Sequence, residues 1–186
     1  MDKYEIKLED INFEGLTALS LVEFPAIEVP FIKMSKLKYS IDDEKRIITG
    51  PALIANTEID RGLWTEYWSE EVIRQAVPLF FKNNNNNNIN IEHSNPINDV
   101  IIFESWIVED SEKDKSALLG YNLPVGSWCV SLKVYNEDIW NIVKLGLVRG
   151  FSIEGWFSQK LVKQSKEEPS EKDIINEIVK LIDKII

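Results

Sequence analysis

A serine two residues from a carboxylate, set between glycines, is the first place in this chain where side chains could do chemistry. The stretch is Gly150-Phe151-Ser152-Ile153-Glu154-Gly155-Trp156-Phe157. Its alternation reads as a strand, with Phe151, Ile153 and Phe157 on one face and Ser152 and Glu154 on the other. Glycine inside a strand marks a bulge or a close approach by another group. A serine hydroxyl attacks an acyl group only when three other parts are present. These are a base for its proton, a group that orients the base, and N–H donors for the oxyanion. The chain of 186 residues holds one histidine, so a serine hydrolase built on it must use His93 as the base. Each residue also has an ordinary reading: Ser152 filling a tight spot in a strand, His93 on an apolar face, Glu154 solvated.

Other chemistries find less support. A structural or catalytic zinc site wants several His or Cys, and the chain has one of each. No Gly-rich phosphate loop follows a strand, and no G-x-S-x-G elbow is present. Carboxylates are plentiful, but no spacing singles out a glycosidase pair. No metal or cofactor is therefore expected. The net charge of −10, from 31 acidic and 21 basic residues, argues against nucleic-acid binding, which draws on cationic surface. The lone Cys129 rules out an intrachain disulfide and suits a reducing compartment. No apolar run approaches the ~20 residues that cross a bilayer, and the charged start Met1–Glu5 is not expected to be a secretory signal. An apolar share of 44% is that of a folded domain.

The elements that must position these residues follow from pattern. Residues 1–35 read as an irregular, extended lead segment. The prolines of Ser20-Leu21-Val22-Glu23-Phe24-Pro25-Ala26-Ile27-Glu28-Val29-Pro30 argue against a central strand or a helix. The domain proper is expected over 36–162. Leu37–Ile41 and Arg46–Ile54 read as a hairpin, and Leu63–Trp68 as another β-like run. A helix should open at Ser69, with Val72, Ile73, Ala76 and Phe80 on one face, and kink or end at Pro78. Asn83–Asn88 reads as a polar loop without function. Strands are expected over Ile89–His93, with Ile89, Ile91 and His93 on one face, then over Val100–Val108 and Ser127–Tyr135. Asn136 should cap a short helix ending near Gly146, before the Ser152 strand runs on to about Val162. A linker at 163–170 leads to an amphipathic helix at 171–186, with Ile175, Ile178, Ile182 and Ile185 at coiled-coil spacing. That helix must dock on its own domain or on a partner, a homo-oligomer among the options.

Several stretches in fixed order resemble the XkdF-like phage serine proteases, a branch of the prohead (capsid maturation) proteases. They are Lys45–Ile54, Asn90-Ile91-Glu92-His93-Ser94, Glu104-Ser105-Trp106-Ile107-Val108-Glu109-Asp110, Gly126-Ser127-Trp128 and Gly150–Gly155. The Ser20–Ala26 lead is also similar to N-terminal segments of such phage proteins. The resemblance implies an α+β fold like that of the herpesvirus maturation protease, a mostly antiparallel β-barrel with surrounding helices. It implies a serine endopeptidase acting inside the assembling prohead in the host cytoplasm, cutting scaffold and major capsid precursors and itself. The family's histidine falls on His93 and its serine on Ser152. The herpesvirus enzymes use a second histidine as third member. Here that role falls to a carboxylate or is missing, with Glu154 favoured over Glu104, Asp60 and Glu92. A backbone N–H near Arg149–Gly150 would hold the oxyanion. The alternative is a non-catalytic, scaffold-associated capsid assembly protein with the same fold.

Overall fold

The computed structural model describes residues 1–27, 32–33 and 45–162. The hairpin partner at 37–41, the linker at 163–170 and the helix at 171–186 lie outside the described residues. In chain order the elements are β1 (Asp2–Lys7), β2 (Gly15–Val22), β3 (Ile32–Lys33), β4 (Ile47–Leu53), β5 (Ile59–Asp60), β6 (Trp64–Tyr67), α1 (Glu70–Lys82), β7 (Ile89–Ile91), β8 (Asn95–Pro96), β9 (Val100–Ile107), α2 (Lys115–Leu118), β10 (Trp128–Val134), α3 (Glu137–Leu145), β11 (Gly150–Trp156) and β12 (Ser158–Val162).

The strands make three four-stranded sheets, ordered β12-β1-β6-β5, β3-β4-β10-β9 and β11-β2-β7-β8. The β1–β6 and β2–β7 pairs are parallel and the others antiparallel. The α+β class and the dominance of β-structure agree with expectation, but the closed barrel does not. A barrel closes when its two outer strands pair. Among the described residues, each sheet instead ends in two outer strands that do not pair with one another.

The lead differs most from its sequence reading. Residues 2–7 and 15–22 are strands, and β2 is central, between β11 and β7. Pro25 falls after β2 ends at Val22, so it does not interrupt that ladder, and Pro30 lies outside the described residues. In β2, Leu16, Ala18, Leu19, Ser20, Leu21 and Val22 are all buried. It reads as a nearly continuous apolar run because both of its faces are covered.

The core gathers Leu19, Leu21 and Phe151 with Ile48, Trp128, Leu132 and the inner face of α1. Phe80 of α1 meets Trp128 edge-on, ring centroids 5.6 Å apart. The helix does not end at Pro78 but continues to Lys82. That proline lies on the exposed side, and burial of Val72, Ile73, Ala76, Val77 and Phe80 on the other offsets the roughly 3 kcal/mol that an interior proline costs. In α3 the Asn136 carboxamide oxygen accepts from Ile139 N at 3.1 Å, and Gly146 closes the helix at φ 74°, as its capping residues predict.

The asparagine run is ordered, contrary to its reading as a loose loop. Asn85 Nδ2 donates to Leu16 O at 2.9 Å and Asn88 Nδ2 to Thr17 O at 3.0 Å. Leu19 N donates to Asn88 O at 3.0 Å. Carboxamides offer donors without needing regular backbone, so the run fastens the exit of α1 to β2 and delivers β7 beside it.

Candidate active site

The β11-β2-β7-β8 sheet sets the site by register. Ser152 lies opposite Ser20 in the antiparallel β11–β2 pair, and Ser20 lies beside Asn90 in the parallel β2–β7 pair. Residues paired in this way point to the same face. Glu154, two positions from Ser152, joins them. One face of three neighbouring strands therefore collects Ser20, Asn90, Ser152 and Glu154, while Leu19, Leu21 and Phe151 fill the core on the other.

His93 reaches this face from a turn rather than a strand. β7 ends at Ile91, and Ser94 N closes the turn onto Ile91 O at 3.1 Å. Glu92 and His93 have φ of 50° and 56°, the sign pattern of a type I′ hairpin turn. Left-handed backbone at two residues with side chains is costly, about 1–2 kcal/mol each, and such strain persists only where the surroundings fix it. Here Glu92 N donates to Leu21 O at 3.1 Å and the Glu92 carboxylate accepts from Glu23 N at 2.7 Å. The expected strand through His93, with the ring beside Ile89 and Ile91, is thus replaced by a turn that swings the imidazole to the polar face.

There Glu154 Oε1 accepts from Asn90 Nδ2 at 2.5 Å and Ser20 Oγ at 2.8 Å, and lies 3.2 Å from His93 Nδ1. Ser20 Oγ is also 2.6 Å from Asn90 Oδ1 and 3.1 Å from His93 Nδ1. Burial pushes the Glu154 carboxyl up. The hydrogen bonds from Asn90, Ser20 and His93, with the imidazole's charge when protonated, outweigh it and hold the group below its ordinary value. The His93 side chain keeps 43% of its surface exposed and Glu154 32%, whereas Ser20 is fully buried.

Chemically, this arrangement orients an imidazole. A carboxylate at Nδ1 fixes the tautomer with Nδ1–H and leaves Nε2 basic and turned away from the network. Ser20 shares the Nδ1 side and is closed to solvent, so it belongs with the orienting groups. Ser152 is half-buried, and its side chain has no hydrogen bond to His93 among the described residues. The structure therefore joins His93 to Glu154 directly and puts Ser152 on the same sheet face one strand from Ser20.

The other carboxylates considered go elsewhere. Glu104 binds Lys115 and Ser131 on a different sheet. The Asp60 carboxylate accepts from Gly62 N, and Glu92 serves the β2 end. Arg149 N, one of the expected oxyanion donors, is already given to Val22 O at 2.7 Å. The Cys129 thiol is buried and pushed up to about 12 by that burial. Among the described residues no three His, Cys, Asp or Glu side chains are grouped to hold a metal ion.

Sequence reasoning missed Ser20 and Asn90. Ser20 is the one polar residue in Ala18-Leu19-Ser20-Leu21-Val22, and Asn90 sits between two isoleucines. Each marks the polar face of an otherwise apolar strand, but grouping Ser20 with the prolines behind it hid the pattern.

A cleft of about 540 Å³ opens beside β11, lined by Glu154, Trp156, Phe157, Trp68 and Arg61 among others. A bulge between Glu154 and Gly155 shapes its floor. A Cβ on Gly155 would collide with Gly15 O and the Phe157 ring, so only glycine lets the strands close there.

No curated protein and no solved structure matches the chain. A family model does, over residues 34–161, a span that includes His93, Ser152 and Glu154 and stops short of β2. With more than half of its length matched, the chain belongs to the family described as putative phage serine protease XkdF.

Proposed function

We propose that the protein is a serine endopeptidase of phage prohead maturation, with Ser152 as nucleophile, His93 as general base and Glu154 as the group that orients it. The observation that carries this reading is Glu154 Oε1 3.2 Å from His93 Nδ1, which leaves Nε2 for a hydroxyl. Ser152 is the half-exposed hydroxyl on that face, and it stands in the stretch that resembles the family's serine motif. The resting separation of Ser152 from the ring is no obstacle, since catalytic hydrogen bonds often tighten only when substrate binds.

In the reaction, His93 Nε2 takes the Ser152 proton as Oγ bonds to the scissile carbonyl carbon. Glu154 stabilises the imidazolium that forms. The tetrahedral intermediate collapses with cleavage of the C–N bond, and the leaving amine takes the proton from Nε2. Water then attacks the acyl-enzyme, gives a proton back to His93 and frees the new carboxyl terminus with Ser152 restored. The cleft beside β11 would receive the substrate chain. Scaffold and major capsid precursors are the proposed substrates, inside the assembling prohead. The lead beyond β2 and the stretch near Lys163–Pro169 are the proposed sites of self-cleavage.

The test co-expresses the protein with its scaffold and compares fragment patterns and fluorophosphonate labelling of wild type, Ser152→Ala and His93→Ala. Scaffold fragments and labelling are expected in wild type alone. The same fragments from all three proteins would overturn the reading. A folded, unlabelled wild type would favour a non-catalytic assembly role.

A further inference from the structure

We infer that Ser20 is a positioning residue of this site, so that β2, outside the family-matched residues, completes it. The inference rests on the protease reading for its catalytic meaning, but the geometry behind it stands alone. Ser20 is fully buried, and its hydroxyl reaches Asn90 Oδ1, Glu154 Oε1 and His93 Nδ1 at 2.6, 2.8 and 3.1 Å. A serine placed only to fill a sheet would be expected to bond local backbone. This one meets three side chains, from residues 70, 134 and 73 positions away in the chain.

A hydroxyl has one proton and two lone pairs. At this spot it can donate to a carboxylate or carboxamide oxygen while accepting from Nδ1–H. Alanine can do neither, and would remove the one proton that lies between Asn90 Oδ1 and Glu154 Oε1. The backbone binds the same parts together. Glu92 N on Leu21 O and Arg149 N on Val22 O fasten the His93 turn and the entry to β11 onto the end of β2. The relative positions of imidazole and carboxylate are thus set through β2 and held at their meeting point by Ser20. Because Ser20 faces Nδ1, it tunes the base and does not attack substrate.

The test uses the full chain as wild type, Ser20→Ala, Ser20→Thr and, as a packing control on the core face of β2, Leu19→Val. Fluorophosphonate labelling is followed across pH, and the Glu154 carboxyl is titrated by carbon NMR. Ser20→Ala should label about 10- to 100-fold more slowly, the scale of loss when a hydrogen-bond partner that orients a metal-bound ligand is removed. The Glu154 carboxyl should titrate at higher pH in Ser20→Ala because it loses a donor. Ser20→Thr keeps the hydroxyl and should restore that titration, and Leu19→Val should leave it in place. An unchanged rate and an unmoved Glu154 titration in Ser20→Ala, or a loss no greater than the control's at equal stability, overturns the inference while the protease reading stands. If wild type does not label at all, the protease reading falls and the titration decides. Glu154 titrating higher in Ser20→Ala sustains the positioning role, and an unmoved Glu154 ends it.

Discussion

Two clusters in this molecule have almost the same parts. On the β11-β2-β7 face, Ser20 and Asn90 donate to Glu154 beside His93. On the β4-β10-β9 sheet, Thr49 Oγ1 donates to Ser131 Oγ at 2.9 Å, Ser131 Oγ donates to Glu104 Oε2 at 2.8 Å, and Lys115 Nζ pairs with the same carboxylate. Each has a serine on a carboxylate with a nitrogen base against it, and in each the donors outweigh burial to hold the carboxyl below its ordinary value. The difference is what remains free. Lys115 donates to Glu104 and lies over the Trp106 ring, 4.8 Å from its centroid, and Ser131 and Thr49 are fully buried. That cluster seals α2 to the sheet. His93 keeps a second nitrogen outside its network, on a strained turn at the surface. A hydroxyl near a carboxylate is common structural material, and under the protease reading the imidazole nitrogen left outside the network is what separates the two clusters.

The sharpest way to break this comparison is to exchange consequences between the clusters. Ser152→Ala and His93→Ala should each lower peptide cleavage about ten-thousandfold or more. Lys115→Met should leave cleavage within about twofold at equal folded fraction, since its partner is half-exposed and surface pairs contribute about 0–1 kcal/mol. Turnover of a scaffold-derived peptide by the purified variants checks both. Comparable losses from the Lys115 change would erase the distinction.

Glu154→Gln keeps size and hydrogen bonding but removes the charge that holds the tautomer. Cleavage should fall roughly a hundred- to ten-thousandfold, against little change for Glu104→Gln. Gly155→Ala forces a side chain into Gly15 O and the Phe157 ring. It should destabilise the fold by about 1–3 kcal/mol, read from the urea midpoint, and reduce cleavage even where the protein stays folded, because the bulge shapes the cleft.

The smallest effects concern pH and the sealed cluster. A carboxyl lowered in the folded state stabilises the fold above its unfolded pKa, and that contribution is lost as pH falls through the folded value. Wild type should therefore lose stability on acidification through and below the ordinary carboxylate range, and Glu154→Gln and Glu104→Gln should each flatten that slope. Urea midpoints across the acid range test this, and slopes equal to wild type would count against both networks. Ser131→Ala should cost about 1 kcal/mol, the scale of one hydrogen bond, with cleavage unaffected.

Much of this was written in the chain. Local pattern gave the start of α1, both ends of α3, the β9 and β10 strands, and the opposite faces of Phe151 and Ser152, because periodicity and capping depend on neighbours a few residues apart; it placed a kink or end of α1 at Pro78, where the helix instead continues to Lys82. A lone histidine made His93 the only imidazole available, and Glu154 was named from its place on the Ser152 face. What pattern did not give was pairing between distant segments. Ser20, Asn90 and Glu154 meet because β2 lies between β11 and β7, and register between strands is settled by core packing over the whole domain. The turn at Glu92–His93 was equally hidden, since two side-chain-bearing residues take left-handed backbone only under tertiary constraint. Residue types fixed which groups could act, and the long-range sheet contacts decided which of them touch.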